Sequence, residues 1–204
     1  MRDVDPTPFE FGVRDDVVEL SDEECSQIEQ ENSNRLHWEI LKFITGVLPR
    51  PQICPQLFKD LHKIAVANVW NNAGEWRKRS RLVACHIAPK ARHIDSLMAE
   101  MCDYVASIDD PFDAAAMILW RANWIHPFDD GNGRVTRAVT WLALSLSPNS
   151  RVSGFIRAIS TDETAIILEK CDRLWLDGDR YLETTDIHPM EQFIVEKWGE
   201  CKSL

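Results

Sequence analysis

The chain has 204 residues, 45% hydrophobic and 27% charged, the balance of a soluble globule long enough for one domain with a real core. Its 23 Lys and Arg against 33 Asp and Glu give a net charge of -10. That field repels phosphate backbones, so direct nucleic-acid binding is not expected, and any phosphate must be gripped by a local cluster of donors. The longest apolar run, near Ala138–Leu146, is far short of a membrane span, and the opening MRDVDPTPFEF lacks the apolar stretch of a signal peptide.

The six cysteines (Cys25, Cys54, Cys85, Cys102, Cys171 and Cys201) are far apart and none forms a CxxC pair. They read as reduced, mostly buried thiols of a cytoplasmic protein rather than a disulfide framework.

In chain order, residues 1–19 carry Pro6, Pro8 and many acids and read as an extended arm. Ser21-Asp22-Glu23-Glu24 is a capping box, so a helix starts there and runs toward Leu48, where Pro49-Arg50-Pro51 stops it. Between Pro55 and Trp70 the apolar positions Leu57, Phe58, Leu61, Ile64, Ala65 and Val69 recur at helical spacing. Asn71-Asn72-Ala73-Gly74 is a turn, and RLVACHIA at 81–88 is the stretch that reads as strand, of a length for a short hairpin flap.

Ile94–Ala106 and Pro111–Ile125 are two further helices, the second apolar nearly all round and therefore buried. Another runs from Gly133 or Arg134 to about Leu146, and residues 161–182 and 189–200 supply two more, with Gly178 as a breaker between them. Trp120, Trp124 and Trp141 read as core, and His86 and His93 as surface histidines. The fold class is mainly α, with one small β element.

The chemistry concentrates in IHPFDDGNGRVTR, Ile125–Arg137. Glycines let a backbone turn tightly and approach a ligand. The helix that begins there offers unpaired N–H groups and the positive end of its dipole, an anion site. Arg134 and Arg137 lie on one face of its start, and two positive charges set against the dipole need a compensating anion. Their forks suit phosphates. Asp130 is a candidate ligand for a hard cation such as Mg2+, which takes one or two carboxylates plus substrate phosphates. His126 is a candidate general base. Phe128 reads as a plug that fixes the loop. No second His or Cys is near, so a zinc site is not expected.

HPFDDGNGRVTR resembles the signature of the Fic family, HxFx[DE]GNGRxxR, at every specified position. Upstream, AGEWR and VACHIAPKARHIDSLM resemble that family's Gly-x-x-Arg turn, flap hairpin and following helix, and the likeness spans about residues 35–195. The N-terminal LSDEECSQIEQEN resembles small bacterial Fic proteins associated with mobile elements. The implied architecture is a Fic-type helical bundle with a β-hairpin flap, divided into an arm and acidic helix at 1–34, a candidate inhibitory segment, and a Fic domain with C-terminal helices at 35–204.

The resemblance implies a protein adenylyltransferase that moves AMP from ATP to a Tyr, Ser or Thr hydroxyl of a target protein. It makes His126 the base and Asp130 the Mg2+ ligand. Gly131, Asn132 and Gly133 cradle the phosphates, Arg134 meets β-phosphate charge and Arg137 the far phosphate. The flap near Val83–Ala88 aligns the target by strand addition. A branch of the family that phosphorylates its targets lacks the GNGR pattern, which is kept here.

Many Fic proteins carry an inhibitory helix, [ST]xxxE[GN], whose glutamate pairs with the arginine matching Arg137. Here Glu31-Asn32 fits the last two positions with Gln27 in place of Ser or Thr, and Glu29 is the other candidate, with Cys25 and Gln30 at the remaining positions. A separate antitoxin chain could bring the glutamate instead; an antitoxin or a second copy of the chain is the expected partner besides the target protein. The competing classes are a catalytically restrained Fic-fold interaction protein in a toxin–antitoxin-type pair, and a de-AMPylating or other phosphate-group transferase at the same site.

Overall fold

The computed structural model describes residues 20–83, 86–145 and 188–202, with single positions at 163, 166 and 167. The expected arm over 1–19, most of the helix over 161–182, and the Gly178 breaker lie outside the described residues.

The capping box forms as the sequence implies. Ser21 accepts from the Glu24 amide at 3.3 Å while its own amide donates to the Glu24 carboxylate at 2.9 Å. Helix α1 (Asp22–Ile44) follows. It stops short of Leu48 because Thr45 caps it and Gly46 turns the chain at φ +77°. Asn32, Leu36 and Ile40 bury one stripe of α1 against α2 (Pro55–Ala65) and α5 (Asn132–Leu144), and the His37 ring stacks on Trp141 of α5 at 5.1 Å. The division expected between residues 34 and 35 falls inside this continuous helix.

Helix α2 is shorter than its periodicity implied. Val66 closes it, the Val69 and Trp70 amides both turn back to the Val66 carbonyl, and Asn68 adopts φ +61°. The apolar pattern persists to Trp70 because Val69 and Trp70 are still buried, in a turn rather than a helix. The flap is a two-stranded antiparallel hairpin, β1 (Leu82–Val83) and β2 (His86–Ile87), with Leu82 opposite Ile87 and Val83 opposite His86.

Helices α3 (Ile94–Ala106) and α4 (Pro111–Ile125) have the bounds that their periodicity implies. Asp110 caps α4, accepting from the Phe112 and Asp113 amides at 2.7 and 3.3 Å, with Pro111 in the first turn where its missing N–H costs nothing. α4 packs against α3, α5 and α6 (His188–Lys202) and is buried nearly all round. Its Arg121 is buried too, its guanidinium lying 4.3 Å from the Trp124 ring centroid. Trp120 and Trp141 are core residues, and His93 is exposed.

Ser145 ends α5, its carbonyl accepting from Arg50 at 2.6 Å, a cation at the negative end of a helix. Cys25, Cys54 and Cys102 are free thiols, of which Cys102 is fully buried and the other two partly; burial pushes the Cys102 thiol up to about 12. Among the described residues no helix is long and apolar enough to cross a membrane.

Replacing Asp110 with Ala removes the cap of the central helix. The expected cost is about 1 kcal/mol, read as a lower urea midpoint with an unchanged slope.

Candidate active site

The chain between α4 and α5 must leave one helix, reverse and start another within six residues. It does so through two left-handed residues, His126 at φ 50° and Gly131 at φ +71°. At Gly131 a side chain is excluded twice. The conformation strains any Cβ, and a Cβ there would lie 2.7 Å from Val66 Cγ1 and 3.3 Å from the His62 ring.

The end of α4 is held by one residue, Arg77. Its Nε donates to the His126 carbonyl at 2.7 Å, its Nη2 to Ile125 at 3.3 Å, and its backbone amide to Pro127 at 2.9 Å. Three consecutive carbonyls, orphaned where the helix stops, thus share one partner. Nη1 and Nη2 also reach the carbonyls of Arg79 and Pro89, on either side of the flap. Arg77 is 1% exposed, and burial pulls its guanidinium down to about 10.

The loop floor is built from His62 and Phe128. Their rings stack at 3.8 Å, 5° from parallel, and the Trp76 ring lies 4.8 Å from that of Phe128, tilted by 44°. His62 Nδ1 accepts from the Gly74 amide at 2.8 Å, so its proton sits on Nε2, which donates to the Asp130 carbonyl at 3.0 Å. Burial holds this imidazole neutral, down to about 4. Asn132 is buried, and its side chain closes a ring with Phe128: Oδ1 accepts from the Phe128 amide and Nδ2 donates to its carbonyl, both at 2.9 Å. Both ends of that amide are engaged by the loop, and what Asn132 can offer a ligand is its backbone N–H in the first turn of α5.

The charged groups gather above this floor. The Asp130 side chain is 46% exposed; Oδ1 accepts from the Gly131 amide at 2.7 Å, and Oδ2 accepts from Trp70 Nε1 at 3.2 Å and Arg134 at 3.4 Å. Arg134 also donates to the Ala65 carbonyl at 3.1 Å and pairs with Glu29 of α1 at 3.1 Å. Arg137 folds back over the first turn of α5, so that a Cβ on Gly133 would lie 3.0 Å from its Nη1. It has no hydrogen-bond or ion-pair partner among the described residues; burial first, then the neighbouring Arg134 charge, pull it down from its ordinary value.

The candidate inhibitory glutamates separate. Glu29 reaches the site, on Arg134 rather than Arg137, whereas Glu31 makes a surface pair with Arg35 at 3.6 Å. The reason is helical phase: Glu29 lies on the stripe of Asn32, Leu36 and Ile40 that faces the core, and Glu31 does not.

Among the described residues no three His, Cys, Asp or Glu side chains gather as a metal cage. The donor set nevertheless fits Mg2+. That ion keeps waters, takes phosphate oxygens and needs only one or two carboxylates, and Asp130 offers one at the start of α5.

Three residues that matter here carried no role in the sequence reading: Arg77, His62 and Asp129. The Asp129 side chain is 8% exposed, bonded by Asn72 at 2.8 Å and by Arg81. Arg77 had a signal, as the arginine of the Gly-x-x-Arg turn. The other two act through space from distant or unspecified positions.

This is a helical Fic-type fold with its motif loop at the start of α5. Residues 52–144 match the family model described as Fic/DOC family. Motif, fold and match together assign that segment to the Fic/DOC family. A curated relative, protein adenylyltransferase Fic of Nematostella vectensis, is 33% identical over 69 residues, 32% of this chain and 16% of that protein. The structure is similar to a Fic family protein from Desulfovibrio desulfuricans G20 (TM-score 0.61, 21% identity, 85% of this chain and 51% of that one). It is also similar to a Fic domain containing signaling protein from Bacteroides thetaiotaomicron VPI-5482 (TM-score 0.62, 20% identity, 90% and 73%). The chain thus spans about half of the first of these structures, and its match to the curated relative a small fraction of that protein.

His62 generates a pH prediction. Its folded value lies below the ordinary 6.5, so its contribution is fully present above 6.5 and is lost as pH falls through about 4. Between pH 7 and pH 4 the wild type should lose about 3 kcal/mol more than His62→Asn, which keeps a donor and an acceptor but does not titrate there. Urea titrations at the two pH values check this; equal losses would refute it.

Proposed function

We propose that the protein transfers AMP from ATP to a Tyr, Ser or Thr hydroxyl of a target protein. The observation that carries this reading is Arg137, a half-buried guanidinium with no partner among the described residues, held beside Arg134 at the positive end of α5. Like charges in that place repel each other and the dipole, and a polyphosphate relieves both. The relative named as an adenylyltransferase supports the choice of nucleotide.

The triphosphate lies along the amides of Gly131, Asn132 and Gly133, with Arg134 on β-phosphate charge and Arg137 on the far phosphate. Asp130 would hold Mg2+, which when bound neutralises phosphate charge. His126 takes the proton of the attacking hydroxyl. The hydroxyl oxygen bonds to the α-phosphorus, the bond to the bridging oxygen breaks, and pyrophosphate leaves. Positioning and preorganised charge supply most of the acceleration in such transfers.

Glu29 gives specific support to a restrained state. Its carboxylate already occupies Arg134, the guanidinium assigned here to the β-phosphate. In this reading α1 is a tethered competitor for part of the nucleotide site, and the chain is an enzyme held back until α1 moves or a partner displaces it.

Incubating cell lysate with labelled ATP, and in parallel GTP, UTP and CTP, tests the activity. A protein band labelled from ATP should fall by on the order of 10³-fold in His126→Ala; label independent of His126 would overturn the assignment. Glu29→Ala should raise labelling by on the order of fivefold, while Glu31→Ala leaves it unchanged. The reverse pattern would discard Glu29 as the restraint.

A further inference from the structure

The family signature leaves position 129 unspecified, yet this chain buries a carboxylate there. Its two oxygens have separate partners: Oδ1 takes Arg81 Nη2 and Oδ2 takes Asn72 Nδ2. The three residues come from three segments. Asn72 lies in the turn after α2, Arg81 at the first stem of the flap, and Asp129 midway between His126 and Asn132.

Arg81 is also the residue that closes the hairpin, since the Ala88 amide donates to its carbonyl at 3.0 Å. Its backbone therefore fixes one stem of the flap to the other, and its side chain fixes both to the motif loop. The Arg77 contacts to the flap end on backbone carbonyls at 79 and 89. They hold the stems close but do not select a side chain. The Asp129–Arg81 pair does, and so sets the orientation of the hairpin.

The charges agree with this arrangement. Asp129 is the carboxylate that acts on Arg77 in the favourable sense, against the repulsion of Arg81. Without it two guanidinium groups face each other at the flap base.

We propose that Asp129, paired with Arg81 and braced by Asn72, is a positioning residue that keeps the acceptor-aligning flap in register with the loop carrying His126. The proposal rests on the adenylyl-transfer reading only for what the flap aligns; the mechanical link between loop and flap is independent of it. Among the described residues Asp129 bonds Asn72 and Arg81 rather than Arg134 or Arg137, so its effect falls on the acceptor side rather than on nucleotide binding.

The test uses the intact chain in four forms: wild type, Asp129→Asn, Arg81→Met and the conservative Arg81→Lys. Amide hydrogen exchange across residues 79–89 should speed by on the order of tenfold in Asp129→Asn and Arg81→Met, and return most of the way in Arg81→Lys. Binding of a fluorescent ATP analogue with Mg2+ should be unchanged in all four. Labelling of lysate proteins at saturating ATP should fall with the flap exchange, and recover with it in Arg81→Lys.

Unchanged flap exchange in both disruptive variants would overturn the proposal. So would exchange that rises over the whole chain together with a loss of nucleotide binding, because the pair would then only support the fold. If the flap responds as expected while even the wild type labels nothing, the clamp stands and the transferase reading fails.

Discussion

A helix that ends beside an active loop leaves carbonyls with nothing to accept from, and in this protein one buried guanidinium answers that need. Arg77 takes the carbonyls of Ile125 and His126 with its side chain and that of Pro127 with its amide, while also tying in Arg79 and Pro89. It sits at the negative end of the α4 dipole, where a positive charge is favoured. Burying an ion is expensive unless every donor is matched. Nε, Nη1 and Nη2 all find carbonyl oxygens, which is why the charge can remain inside. Without this residue the direction in which α4 delivers His126 would be undetermined.

Past that point the floor of the loop is wired with neutral groups, and the one buried ion pair of the described loop, Asp129 with Arg81, faces the flap instead. Asn132 closes on Phe128, His62 spans Gly74 and Asp130, and the Phe128 ring fills the space beneath. Cations are left for the surface of the site, where Arg134 and Arg137 project from the first turns of α5. A floor rigid without charge and a rim charged in excess suit a site meant for an anion. The same division places the Asn132 side chain in the floor, closed on Phe128. A buried amide whose donor and acceptor are matched within the loop cannot also reach out of it.

Much of this was legible in the chain itself. Apolar periodicity placed α3 and α4, the Ser21–Glu24 box placed the start of α1, and the density of polar chemistry in 125–137 marked the site. What escaped depends on tertiary placement. The pattern of α2 continued through Val69 and Trp70 because burial, not helicity, selects apolar residues there. His62 and Asp129 bond across 12 to 68 residues of sequence, a separation that no local spacing encodes. The choice between Glu29 and Glu31 needed the phase of α1 against the core, which Leu36 and Ile40 would have supplied, as they share the Glu29 stripe.

The backbone at 126 narrows the amino-acid alphabet before any chemistry is considered. A left-handed turn at φ 50° admits glycine readily and, among residues with side chains, favours asparagine, aspartate and histidine. Of that short set only the imidazole exchanges a proton near neutral pH. If the residue at 126 takes a proton, as the proposed transfer has it, one residue type meets two unrelated demands at the same point, the handedness of the chain and the basicity of the side chain. A search for alternative bases at this position is confined by geometry to almost none.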